Sequence, residues 1–202
     1  MKTNERPFQL RSWQAWTQLA SPAEGMMSRT HDHARDMDDD EDFDWTAHAL
    51  YSIDEKYRYA LAKFWNKDSP PLCALMLNPS TATELKLDPT VIRVEERAHT
   101  GDYGGFLVLN LFALRSTDPM MLYDHHAPIG RENDRVIDIL APFARTVLCG
   151  WGNHGTFNDR GLIVRERLKN LGLVPHALAI SKLGQPMHPL YQSYSKGIKP
   201  WT

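Results

Sequence analysis

Four short segments, each closing or following an apolar run, constrain the fold of this 202-residue chain more than any other feature. They are Leu75-Met76-Leu77-Asn78-Pro79-Ser80, Leu107-Val108-Leu109-Asn110-Leu111-Phe112, Cys149-Gly150-Trp151-Gly152-Asn153-His154-Gly155 and Gly184-Gln185-Pro186-Met187-His188-Pro189-Leu190-Tyr191. Nearly continuous apolar runs read as strands covered on both faces. The switch to Asn, His, Gly or Pro marks the carboxyl ends of those strands, where open parallel sheets keep their ligand crevices.

Strands are expected near Leu72–Leu77, Phe106–Leu111, Thr146–Gly150 and His176–Ile180. Helix signals fall between them. Asp88-Pro89 places a capping side chain before a proline suited to the first helical position, and Asp118-Pro119 repeats the device. Leu162, Val164, Leu168 and Leu171 form an apolar stripe ahead of Gly172, a helix stop. Upstream, Ala47 to Ile53 and Tyr57 to Trp65 flank Asp54-Glu55-Lys56 and predict a hairpin. The expected fold class is α/β, with three layers (α/β/α). Its central sheet is mainly parallel and four-stranded, preceded by that β-hairpin.

Two units are expected: an N-terminal segment over 1–44 and a single α/β domain over 45–202. Phe8, Leu10, Trp13, Trp16 and Leu19 suit one amphipathic helix. Residues 1–44 carry ten acids against five Lys/Arg, and eight of the acids lie between Asp32 and Asp44. Such a stretch cannot bury enough apolar surface and is expected to stay loosely attached. His31-x-His33 in that stretch is read as part of a solvated tail, so no metal centre is expected. From Arg160 onward seven Lys/Arg face one acid, Glu166, a balance that suits phosphate contact or a solvated helix face.

Cys73 and Cys149 sit inside expected strands and read as free core thiols. Two cysteines cannot supply the four thiolates of an iron–sulfur cluster or a Cys-rich zinc site. No cofactor is therefore expected. No run reaches bilayer-spanning length, so a cytoplasmic location away from membranes is expected.

Chemistry is expected at the four strand ends. Pro79 forces the chain out of the sheet after Asn78, while Ser80 and Thr81 add hydroxyls. Asn110 places an amide within a buried strand, which is costly unless it is hydrogen-bonded. Such a carboxamide suits the imide edge of uracil or thymine, which presents adjacent donor and acceptor groups. Two glycines let the backbone approach closely around His154. His188, in a loop stiffened by two prolines, is able to donate to an anion developing on a departing base.

Leu77-Asn78-Pro79-Ser80-Thr81-Ala82, Asp88-Pro89-Thr90, Asn110-Leu111-Phe112-Ala113, Asp118-Pro119, Glu132-Asn133-Asp134, Trp151-Gly152-Asn153-His154-Gly155 and His188-Pro189-Leu190-Tyr191 together resemble a bacterial and phage family known as a domain of unknown function. The resemblance covers about residues 48–200 and brings no activity. More distantly, the chain resembles the uracil-DNA glycosylase superfamily, which hydrolyses the base–deoxyribose bond after flipping the nucleotide. That resemblance implies that Asn78 positions the attacking water, Asn110 reads the base and His188 stabilises the leaving base. Pro79, Ser80, Phe112, Trp151, His154 and Tyr191 would line the substrate position. Asn78 stands where many relatives carry a carboxylate, which implies slow hydrolysis. Small Ser80 replaces a Tyr that would exclude thymine, so a 5-substituted pyrimidine is admitted.

The leading expectation is a glycosylase-like protein that acts on, or recognises, a pyrimidine base in DNA. The alternative is a non-catalytic module of the same fold that binds a nucleotide, a modified base or DNA. Metal-dependent nucleotide hydrolysis through Asp88, Asp118 or Asp134 ranks last.

Overall fold

A computed structural model describes residues 8–33, 45–66 and 68–201. Eight strands form one mixed sheet: β1 (Met26–His33), β2 (Trp45–Ser52), β3 (Arg58–Phe64), β4 (Leu72–Met76), β5 (Gly105–Asn110), β6 (Thr146–Cys149), β7 (Pro175–Ala177) and β8 (Lys199–Pro200). Their order across the sheet is β1-β2-β3-β5-β4-β6-β7-β8. Five α-helices are described: α1 (Phe8–Leu19), α2 (Pro89–Thr100), α3 (Met121–Asp124), α4 (Asn133–Leu140) and α5 (Arg160–Asn170).

The four expected strands are present, and β5, β4, β6 and β7 pair in parallel. The sheet nevertheless has eight strands, not four. The hairpin β2–β3 joins it directly, because β3 pairs antiparallel with β5 from Leu61↔Val108 to Phe64↔Gly105. β1 extends that wing, and β8 closes the far edge against β7. β1 reads Met-Met-Ser-Arg-Thr-His-Asp-His, with no apolar alternation beyond Met27, so no strand was expected there. His31 thus pairs with Ala47 in a strand. Residues 34–44, the rest of the expected loose acidic stretch, lie outside the described residues.

Period-two alternation sends successive side chains to opposite faces, and both faces are packed. Cys73, Leu75, Leu107 and Leu109 meet Trp16 and Leu19 of α1, Val136 and Ile137 of α4, and Val164 and Leu168 of α5. Leu72, Ala74, Phe106 and Val108 meet Val91, Val94 and Ala98 of α2. Fully burying each such Leu, Val or Phe contributes about 1.5–3 kcal/mol. Truncating Phe106 to Ala would cost about 3–5 kcal/mol.

The helix signals hold with adjustments. Asp88 caps α2, its Oδ1 accepting from the backbone amides of Thr90 and Val91 at 2.9 Å each. Asp118 Oδ1 accepts from the Met120 amide at 2.9 Å, yet only the one-turn α3 follows. In α5, Leu162 is exposed while Val164 and Leu168 are buried, so the stripe is narrower than expected. Among the described residues no helix is long and apolar enough to cross a membrane.

Candidate functional site

The loops that follow β4, β5, β6 and β7 enclose a cavity of about 480 Å³. This is within the roughly 300–1,000 Å³ typical of small-molecule sites. It lies beyond the carboxyl ends of the parallel strands, and Asn78, Ser80, Asn110, Trp151, His154, His188 and Tyr191 all line it.

Asn78 begins the loop after β4. Its Nδ2 donates to the carbonyls of Ser116 at 2.8 Å and Pro79 at 3.1 Å. These bonds commit the amide nitrogen and fix the side chain's orientation, leaving Oδ1 for a ligand or water. Pro79 shapes the turn: its carbonyl also accepts from the Ser116 amide at 2.9 Å. Pro79 does not line the cavity; its neighbour Ser80 does.

Asn110 ends β5 and is only 1% exposed. Its Nδ2 is buried without a hydrogen-bond partner among the described residues. Leaving such a donor unmade costs about 1–3 kcal/mol. The chain around it is tightly held. Asn133 Nδ2 donates to the Asn110 and Leu111 carbonyls at 2.9 and 3.0 Å. Arg160 Nε donates to the Leu111 carbonyl at 2.9 Å. Phe112 turns away from the cavity into the core, against Phe157 at 5.7 Å between ring centroids.

Close backbone approach explains the glycines after β6. A Cβ on Gly155 would fall 2.1 Å from the Trp151 ring, and one on Gly150 would fall 2.7 Å from Pro189. Gly150 therefore lets the His188–Pro189 loop pack onto the strand end. Trp151 donates through Nε1 to Gln185 Oε1 at 2.9 Å, which ties β6 to the loop after β7. His154 Nδ1 lies 2.9 Å from the Tyr123 hydroxyl.

His188 Nδ1 accepts from the Leu190 amide at 3.3 Å. That bond uses the Nδ1 lone pair, so the neutral ring carries its proton on Nε2. Burial lowers the His188 pKa, opposed by the nearby Asp88 charge, which favours this neutral Nε2–H donor. Tyr191 stands at the cavity edge, 78% exposed and 5.8 Å from the His188 ring.

Two charged residues line the cavity that sequence reasoning had not placed there, Arg58 and Asp88. Arg58 is 2% exposed at the start of β3 and donates to the Ala82 carbonyl, bracing the loop between Asn78 and Asp88. Burial pulls its pKa down to about 10, and Asp88 is one of the charges that hold it up. The signal for Arg58 was a charge set between Tyr57 and the apolar run Tyr59-Ala60-Leu61-Ala62. Asp88 is a candidate from sequence only for the last-ranked metal-dependent hydrolysis, because its capping role accounts for its position.

The basic C-terminal quarter is largely engaged internally. Arg160 pairs with Asp134, Arg167 with Asp134 and Asp138 at 3.0 and 2.7 Å, and Lys169 with Glu166 at 2.8 Å. Arg165 lies over the Trp201 ring at 4.4 Å. Glu132-Asn133-Asp134 starts α4 and also anchors β5 and α5.

Residues 58–190 match DUF1643, described as a protein of unknown function. The chain belongs to that family. The match holds every cavity-lining residue of this DUF1643 protein except Tyr191. No curated protein and no solved structure matches the chain.

Proposed function

We propose that the cavity receives a pyrimidine base of DNA and that this DUF1643 protein is a glycosylase-like hydrolase of the base–sugar bond. The observation that carries the proposal is the convergence of Asn78, Asn110 and His188 on one cavity. Each residue brings a defined atom. Asn78 Oδ1 orients a water, Asn110 Nδ2 donates to a base carbonyl, and His188 Nε2–H donates to the charge that develops as the base departs. The parallel order β5-β4-β6-β7 and the distant sequence resemblance to uracil-DNA glycosylases agree with this reading. Ser80 in the lining leaves room for a 5-substituent, so thymine-like bases are admitted.

One observation favours a second reading, a binding module without catalysis. Arg160, Arg167 and Lys169, three of the seven basic residues of that quarter, are held in internal ion pairs, and Asn78 is an amide that cannot take a proton from water. The test is base release from labelled single- and double-stranded oligonucleotides containing uracil, thymine mismatches or 5-hydroxymethyluracil. Wild type is compared with Asn78→Ala and His188→Ala. Alkali-labile sites that disappear in both variants support hydrolysis. Retained binding with no cleavage on any substrate supports the module.

A further inference from the structure

Hydrolysis at this cavity needs an acceptor for the proton of the attacking water, and Asn78 cannot be that acceptor. Among the residues described as lining the cavity, Asp88 alone is acidic. Its Oδ1 is fixed by the Thr90 and Val91 amides at 2.9 Å each. This grip locks the side chain and leaves Oδ2 without a hydrogen bond among the described residues. Capping also places the carboxylate at the positive end of α2.

A capping acid alone would mean little. A second observation lies in the same cavity: the buried Asn110 Nδ2, which has no hydrogen-bond partner among the described residues and marks the cavity as built for a ligand. Asp88 is also near enough to His188 and Arg58 for its charge to act on both.

We propose that Asp88 is the catalytic carboxylate of this site, a role that rests on the hydrolytic reading above. Asp88 Oδ2 takes the proton as the water oxygen bonds to C1′ of the sugar. The C1′–N1 bond breaks, and its electron pair leaves on the base as an N1 anion held by His188 Nε2–H. The proton on Asp88 then returns through solvent to the freed base. Water and base-bearing sugar become abasic sugar and free base, with no other reactant. The same negative charge stabilises the positive charge that gathers at C1′ in the transition state.

Capping and catalysis are separable here, because Asn and Ser cap helices about as well as Asp but accept no proton from water. The experiment measures base release, oligonucleotide binding and thermal melting for wild type, Asp88→Asn and Asp88→Ser. The expected result is a fall in turnover of roughly 100-fold or more in both variants, with melting and binding close to wild type. Turnover equal to wild type in Asp88→Asn or Asp88→Ser reduces Asp88 to a helix cap and leaves the hydrolytic reading standing. A wild type inert on every substrate overturns the hydrolytic reading, and the role of Asp88 with it.

Discussion

The side-chain amide of Asn133 donates to the main-chain carbonyl of Asn110 at 2.9 Å, so the first residue of α4 holds the strand end that carries the candidate base reader. The same nitrogen serves the Leu111 carbonyl, and Asn133 is fully buried. Asn133→Asp removes the donor and keeps the shape. It should destabilise the protein by about 1–3 kcal/mol, a fall in melting temperature of roughly 2–4 °C for each kcal/mol at this chain length. Unchanged melting would show that the two carbonyls do not depend on Asn133.

Arg160 anchors the next turn of chain. It is 2% exposed, bonds the Leu111 carbonyl and pairs with Asp134. Removing one partner of a buried pair costs about 3–5 kcal/mol, because the other charge stays buried alone. Asp134 is partly exposed, so Asp134→Asn should fall at or below the lower end of that range. Arg160→Met with Asp134→Asn should recover part of the loss. Denaturant midpoints of the two single variants and the double variant measure the coupling. Strict additivity would contradict it.

Acid should loosen the β1–β2 wing. His48 is buried beside Trp16 and Phe64, and burial lowers its pKa from 6.5 to about 4, against a smaller upward pull from Asp32. A folded-state pKa below the unfolded value means that the unfolded chain takes the proton first. Stability is therefore intact above about 6.5 and declines as pH falls towards 4. The expected loss between pH 7 and pH 5 is about 2 kcal/mol. Urea midpoints at the two pH values test it, and His48→Gln should remove that part of the difference.

Neither thiol should react in the folded protein. Cys73 and Cys149 are fully buried; burial pushes Cys73 up to about 12 and raises Cys149 well above the ordinary thiol range. The thiolate is the reactive form. Iodoacetamide at neutral pH should leave both unmodified by intact mass and label both in urea. Labelling without denaturant would mean that the β4–β6 core opens.

The parallel strands were legible because strands covered on both faces must be apolar throughout, and Leu72 to Met76 and Phe106 to Leu109 are. β1 was not. Its eight residues gain their order from backbone pairing to β2 and carry mixed side chains, so no periodic signal distinguishes it from a loop. The cavity was partly legible. Asn78, Asn110 and His188 stood out as polar residues at strand ends, and all three line it. Phe112 followed Asn110 too closely to be separated from it, but its side chain belongs to the core. Asp88 ranked last among the chemical candidates because its fitness as a cap accounted for it, and only the fold placed it in the cavity lining.

The most direct test of the pyrimidine pocket is binding and melting of Asn110→Ala beside wild type, with a uracil-containing single-stranded oligonucleotide as the probe. Asn110 Nδ2 has no hydrogen-bond partner among the described residues, so its loss should leave melting unchanged or raised. Binding should weaken by roughly 10-fold or more, the cost of a lost ligand hydrogen bond. Equal binding by both proteins, or a marked drop in melting with binding retained, would contradict the account.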